Sequence, residues 1–444
     1  MIGKEIHSYA GWRDYQRRIK RNDRKKDLLK RLPFLLLVSA GGFILLCIFY
    51  ISGLWISGHL KEEPSIKDEP KSDRRHSAGE LSRAHIVAAL KESGLAGHGP
   101  WEKIGIRIGG RKLNLETTIN PKLQNYINGL LARSKTHKAA VVVIRPEDGR
   151  ILAMADYDET GLGNGVYLQS KFPAASLFKI IAAAAALESA GFTPEKKIAY
   201  AGRKHTLYKS QLKKSPGRYA TTTSLRNAFA SSINPVFGRL GTYHLGKDLM
   251  GDYAQRFLFN KTIDFELQIG VSTVSVPEDE FGLAEIASGF NKKTLISPIH
   301  AALLASAVAN RGVMMRPWFI KDASEDSGNT VYRGSPKALG RVMKEKTAAQ
   351  MRVLMNGTVI YGTCRKSLKR LLRKKLFRKV ELGAKTGTIN DMDDRYKYDW
   401  LSAYALPEKG KDGICISVLG VHGKTLGVRA NELGRAIIHY HFAS

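Results

Sequence analysis

Residues 34–57 read FLLLVSAGGFILLCIFYISGLWIS, 24 residues without one charge, and this run restricts the chain more than any other. At ~1.5 Å per residue a helix of that length spans about 36 Å, enough for a tilted bilayer crossing. It is too long for a signal-peptide core, and no small-residue cleavage site follows it. A buried core helix is the plainer alternative; an uncleaved single-pass anchor is the expectation. The arm before it carries Arg13, Arg17, Arg18, Lys20, Arg21, Arg24, Lys25, Lys26, Lys30 and Arg31. By the positive-inside rule residues 1–33 form a basic cytoplasmic arm, and everything past Gly58 is exported.

That placement decides how the charge is read. The formal net charge is +31, a balance that favours nucleic acid, acidic lipid or an anionic polymer. A domain outside the cytoplasm meets envelope polymers or acidic headgroups, so nucleic acid is excluded as a partner. Of three cysteines, Cys47 lies inside the apolar run. Cys364 and Cys415 could pair in an oxidising compartment, but such sparse usage is no disulfide scaffold.

With 444 residues, the chain has room for about two or three domains. Residues 58–82 are polar, contain prolines and read as a linker. Residues 83–112 make a small membrane-proximal unit that opens with helical spacing over 84–93. Continuous globular patterning fills 113–444. A strand is expected at 113–119 and a helix at 121–133, with Leu123, Ile127, Leu130 and Leu131 on one face. Residues 139–144 and 150–155 flank a Pro-Glu-Asp-Gly turn and read as a hairpin. The alanine-rich stretch 177–190 is apolar over most of its surface, so it reads as a buried helix; 298–309 is a second such run. Strands are expected at 380–388, 400–405 and 413–421, then a helix from 428 to 441. Strands at both ends with helices between suggest one α+β domain whose terminal segments share a sheet.

Three motifs carry the chemistry. Ser176-Leu-Phe-Lys179 opens the apolar helix, where free N–H groups and the helix dipole favour developing negative charge. Lys179 lies one turn on and can reach the Ser176 hydroxyl. Burial beside a second cation, Lys385, would lower its pKa and make it a base. Ser232-Ile-Asn234 falls at a helix end: Ser232 can relay a proton and the Asn234 amide can hold a peptide bond. A plain capping turn is the rival reading there. Lys385-Thr-Gly-Thr388 ends a strand pattern. Gly387 lets a backbone approach, the Thr386 and Thr388 hydroxyls can bind a carboxylate, and the Lys385 charge favours an anionic terminus. The N–H groups of Ser176 and Thr388 could form an oxyanion hole. Each spacing alone is cheap, since Ser210-Gln-Leu-Lys213, Ser327-Gly-Asn329 and the lysine-threonine pair at Lys424 are copies in the wrong context. The ordered set of S-x-x-K, S-x-N and K-T-G is what specifies an acyl-transferring serine enzyme.

Over residues 113–442 the chain resembles the transpeptidase domain of penicillin-binding proteins. The likeness extends to Thr118–Gln124, Ala140–Ala155, Ile296–Ala301, Ala309–Gly312 and Asp399-Trp400. It implies a five-stranded antiparallel sheet flanked by helices. It also implies that Ser176 is the acylated nucleophile, Lys179 the general base, and Ser232, Asn234 and Lys385 supporting groups. The substrates it implies are peptidoglycan stem peptides, cross-linked through an acyl-enzyme, with β-lactams as mimics. It places the protein in the bacterial cytoplasmic membrane with its catalytic domain outside, and points to glycosyltransferase or divisome and elongation partners. Leu177 and Ile233 depart from the family's usual small residues. About 50 residues between anchor and domain leave no room for a glycosyltransferase of the chain's own. A D,D-carboxypeptidase or class D-like β-lactamase keeps the same chemistry with water as acceptor. A non-catalytic β-lactam sensor or cell-wall scaffold is the rival of another class.

No cofactor is expected. Asp391, Asp393 and Asp394 lack the glycine and glutamate of a calcium loop, and His439 and His441 lack clustered partners, so no metal site is expected. The basic segment 365–379 places Leu368, Leu371, Leu372 and Leu376 at helical spacing. It reads either as a surface helix with inward leucines or as a membrane-surface contact.

Overall fold

Alternation along Lys138–Ile144 sets the architecture. Ala139, Val141 and Val143 are buried in one apolar core, and Ala140, Val142 and Ile144 in another on the opposite face. A sheet covered on both sides needs strands that are apolar throughout, and Ile414–His422 is buried at every position. The computed structural model describes residues 81–94, 103–161, 165–408 and 413–444. The arm, the apolar run 34–57 and the linker up to residue 80 lie outside them. Among the described residues no helix is long and apolar enough to cross a membrane.

In chain order the principal helices are α1 (Arg83–Glu92), α2 (Pro121–Ala132), α3 (Lys179–Glu188), α4 (Leu225–Ala230), α5 (Asn234–Leu240), α6 (Glu280–Ser288), α7 (Pro298–Ala309), α8 (Glu345–Ile360) and α9 (Ala430–Ala443). The principal strands are β1 (Lys103–Ile108), β2 (Arg111–Thr117), β3 (Lys138–Ile144), β4 (Ile151–Asp158), β5 (Ile320–Glu325), β6 (Thr330–Arg333), β7 (Val380–Asn390), β8 (Lys397–Pro407) and β9 (Ile414–His422). The five-stranded sheet runs β7-β8-β9-β3-β4, antiparallel throughout. Both chain ends of the domain meet in it, as the sequence reading expected. Its helix boundaries follow side-chain chemistry. Asn120 caps α2 by accepting from the Leu123 N–H, and Ser297 caps α7 by accepting from the His300 N–H, each with proline as the first helical residue. Helices α2 and α9 pack on one face, burying Leu123, Ile127, Leu433 and Ile437. On the other face α7 lies against β3, β8 and β9, and the Ser402 hydroxyl donates to Ala301 O at 2.8 Å.

A second sheet has the order β1-β2-β5-β6. The stretch 83–112 thus shares a hairpin with β2, and Ile86, Leu90, Ile104 and Ile106 belong to the larger core. The basic segment after α8 departs from the expected helix. It forms two 3₁₀ turns, Leu368–Arg373 and Lys375–Phe377. With three residues per turn, Leu368 and Leu371 eclipse and are both buried. Leu376 falls out of that register and is 44% exposed. Cys364 and Cys415 are free and buried, one in each core, so the sheet stands between them.

Candidate active site

The Ser176 turn comes first. Ala174 N–H donates to Thr294 O at 2.8 Å, and a 3₁₀ turn over Ala175–Phe178 leads into α3. The regular helix therefore begins at Lys179, two residues later than the sequence pattern suggests. Ser176 sits in the turn, eclipsing Lys179. Everything from Lys179 to Leu187 is buried, because an alanine-rich helix presents no polar face to solvent. Lys179 Nζ lies 2.9 Å from Ser176 Oγ, donates to Asn234 Oδ1 at 2.8 Å and donates to Ser288 O. Burial first, and the Lys385 charge second, push its pKa well below the ordinary lysine value. A neutral amine has two N–H groups and one lone pair. Asn234 Oδ1 and Ser288 O accept both hydrogens, so the lone pair is left facing the Ser176 hydroxyl.

Ser232 is held by a different device. Helix α4 ends in a Schellman motif: Ser232 N–H donates to Phe229 O at 3.0 Å and Ile233 N–H to Ala228 O at 2.9 Å. The motif requires a left-handed residue at the position after the cap, usually glycine. Here it is Ser232, with φ +54°. The capping turn and the chemical motif are therefore one structure. Ile233, whose bulk departs from the family pattern, is 2% exposed; it fills the apolar position that this motif reserves after its left-handed residue. Asn234 then opens α5, and its amide nitrogen donates to His205 O at 3.1 Å.

Strand β7 supplies the third wall. It is an edge strand, so alternate N–H groups have no neighbouring strand. Lys385 is fully buried, donating to Ser232 Oγ at 3.0 Å and Thr386 O at 2.8 Å. Desolvation lowers its pKa to about 7. A Cβ on Gly387 would lie 3.2 Å from Ala175 Cβ and 3.4 Å from Ser176 N. The space that glycine frees is thus occupied by the Ser176 turn itself. Gly289 serves the same turn from the end of α6. Its φ is +62°, and a Cβ there would stand 1.9 Å from Ala175 O. The Thr386 and Thr363 hydroxyls are 2.7 Å apart. Thr388 donates to Asp399 Oδ1 at 3.3 Å, and Asp399 also accepts from Arg429 Nη2 and Nε at 2.7 and 2.8 Å and from Ala430 N–H at 2.8 Å. Burial would raise the Asp399 carboxyl, but hydrogen bonds from His422, Arg429 and the Ala430 N–H, with the Arg429 charge, hold it down at about 2.

Ser176, Ser232, Asn234, Thr386 and Thr388 all line one cleft of about 390 Å³; Lys179 and Lys385 lie buried behind its wall. Sequence reasoning missed His205, Gly289, Phe290, Thr363, Arg429 and Asn431, which also line it. They come from four separate segments, and none stands at a fixed spacing from a motif. Of the expected metal-free acids, Asp393 and Asp394 pair with Arg395 and Lys292, and Asp391 caps its own turn.

Residues 139–439 match the model of the penicillin binding protein transpeptidase domain. "Stage V sporulation protein D" of Bacillus subtilis is 27% identical over 300 residues, 64% of this chain, which spans only 45% of that relative. "Peptidoglycan D,D-transpeptidase PbpA" of Mycobacterium tuberculosis is 27% identical over 365 residues, covering 73% of this chain and 72% of the relative. The structure resembles penicillin-binding protein A of M. tuberculosis in its imipenem acyl-enzyme complex, with TM-score 0.60, 25% identity, and coverage of 73% and 78%. For the D,D-transpeptidase domain of a peptidoglycan glycosyltransferase from Eggerthella lenta the TM-score is 0.62 at 21% identity, covering 82% and 90%, a likeness of fold. The match to the family model, spanning well over half the chain, makes this protein a member of the penicillin-binding protein transpeptidase family.

Proposed function

We propose that the chain is a serine D,D-transpeptidase that cross-links peptidoglycan stem peptides. One observation carries the reading: Lys179 Nζ stands 2.9 Å from Ser176 Oγ and contacts two fixed carbonyl oxygens, so in its neutral form the lone pair is left to the hydroxyl. In the first half-reaction Ser176 Oγ attacks the carbonyl carbon of the penultimate D-alanine and its proton passes to Lys179 Nζ. The oxyanion faces the N–H groups of Ser176 and Thr388. The C–N bond then breaks, and the departing D-alanine amine takes a proton through the Ser232 hydroxyl, which is hydrogen-bonded to Lys385. In the second half an acceptor amine attacks the ester and gives up a proton along the same route. Oγ leaves, re-protonated. Asn234 orients the stem amide, and the Thr386, Thr388 and Thr363 hydroxyls receive the terminal carboxylate, with the buried Lys385 behind them. Gly387 keeps strand and nucleophile turn close enough to share one substrate.

The setting is part of the proposal. Residues 1–33 form a cytoplasmic arm, 34–57 the single-pass anchor, 58–82 the linker, and 83–112 with 113–444 the exported catalytic part. β-Lactams acylate Ser176 as mimics of the stem terminus. The test is labelled penicillin with wild type and Ser176→Ala, followed by stem-peptide donor and amine acceptor. A stable adduct on Ser176 and a cross-linked product are expected. Absence of an adduct sinks the reading; release to water alone would make the protein a carboxypeptidase or β-lactamase.

A further inference from the structure

We propose that residues 365–379 form a docking surface for the anionic lipid face of the membrane. Nine of these fifteen residues are lysine or arginine and none is acidic. Eight of the nine are exposed; Lys369 is half-buried. Lys379 pairs with Glu408 at 3.9 Å and Lys374 Nζ contacts His439 at 2.6 Å. The other seven have no ion-pair partner among the described residues. These seven cations on one short segment repel each other, and an external anionic surface relieves that cost.

The fold makes this a ridge rather than a loose tail. Leu368, Leu371 and Phe377 are buried, pinning both 3₁₀ turns to the core beneath β7. The one leucine that escapes, Leu376, stands among Arg373, Lys374, Lys375, Arg378 and Lys379. An exposed aliphatic side chain flanked along the chain by exposed cations matches a bilayer surface, where the apolar group enters the acyl boundary and the cations meet headgroups. A soluble polyanion would recognise the charges and leave Leu376 in water. The proposal rests on the anchor reading in one respect. The 23 residues of 58–80 reach at most about 80 Å when extended, so a tethered domain stays within range of the surface. Thr363, two residues before the ridge, lines the catalytic cleft. Docking would therefore fix where the cleft stands relative to the headgroups.

The test uses the full chain in proteoliposomes, with Cys47→Ala and Leu376→Cys carrying a polarity-sensitive dye; Cys364 and Cys415 are buried. On vesicles containing phosphatidylglycerol the dye emission should shift to the blue, with no shift on phosphatidylcholine alone. Salt at ~0.5 M should abolish the shift, because it shortens the screening length to a few ångströms. Each cation neutralised should lower surface occupancy roughly five-fold, so Arg370→Gln, Arg373→Gln and Lys375→Gln together should cost on the order of a hundred-fold. Acylation by labelled penicillin shows that each variant is folded. Equal emission on both vesicle types from acylation-competent protein overturns the proposal. So does a shift produced by soluble polyphosphate on phosphatidylcholine vesicles when phosphatidylglycerol gives none. Release of the chain by alkaline carbonate reports failure of the anchor separately, since the dye reads the ridge whether or not the chain is inserted.

Discussion

Two substitutions at Ser232 should separate stability from activity. Its φ of +54° puts an L-residue where the Schellman motif accommodates glycine without strain. The left-handed conformation costs a non-glycine residue about 1–2 kcal/mol. Replacing Ser232 by alanine keeps that strain and deletes the hydroxyl that accepts from Lys385 Nζ at 3.0 Å; the lost bond is worth ~1 kcal/mol. Replacing it by glycine deletes the same bond and relieves the strain. Ser232→Gly should therefore unfold at higher denaturant than Ser232→Ala by about 1 kcal/mol, and close to wild type. Both variants should acylate with labelled penicillin some 10²–10⁴-fold more slowly, the usual worth of a positioned proton-transfer group. Stability is read by urea denaturation and acylation by rapid-quench gel fluorescence. If the alanine variant proves as stable as the glycine variant, the strain assigned to Ser232 is absent. If either acylates at the wild-type rate, the hydroxyl has no part in proton transfer.

Gly289→Ala should slow acylation on the order of a hundred-fold, because its Cβ would sit 1.9 Å from Ala175 O and push the Ser176 turn by more than an ångström. Gly191→Ala, at φ +67° with open space around it, controls for backbone strain alone and should acylate normally. Buried Lys179 and Lys385 both have folded-state pKa values depressed from 10.5, Lys385 to about 7. The unfolded chain thus binds more protons than the folded one above pH 7, and their contribution to stability grows as pH rises from about 7 toward 10.5. Lys385→Met should remove part of that slope, so the wild-type increase in unfolding free energy between pH 7 and pH 9 must exceed the variant's. Cys364 and Cys415 should resist a thiol reagent in the native domain and react once it is unfolded, their buried thiols being held up, that of Cys364 to about 12. Fast native labelling would contradict the burial of both.

By itself, the sequence determined the features whose physics is local. Apolar runs bounded by turn residues placed β3, β4 and β7 to β9 within a few residues, and helical spacing after Pro121 and Pro298 marked where α2 and α7 begin. The pairing of Ser176 with Lys179 was legible because i and i+3 always eclipse on a tight helical turn. The order of three motifs named the chemistry. Tertiary structure alone decided what each motif faces. Ser288 O and Gly289 reach the site from α6, more than a hundred residues after Ser176, and nothing in their spacing announces it. Leu376 looked like its neighbours until two 3₁₀ turns replaced one α-helix and turned it outward. Ser232 read equally well as a cap or as a relay, and only the meeting of α4 with the edge strand β7 made it both. Periodicity records which face of an element is buried; it carries no record of which element lies opposite, because that depends on chain closure between segments that share no spacing.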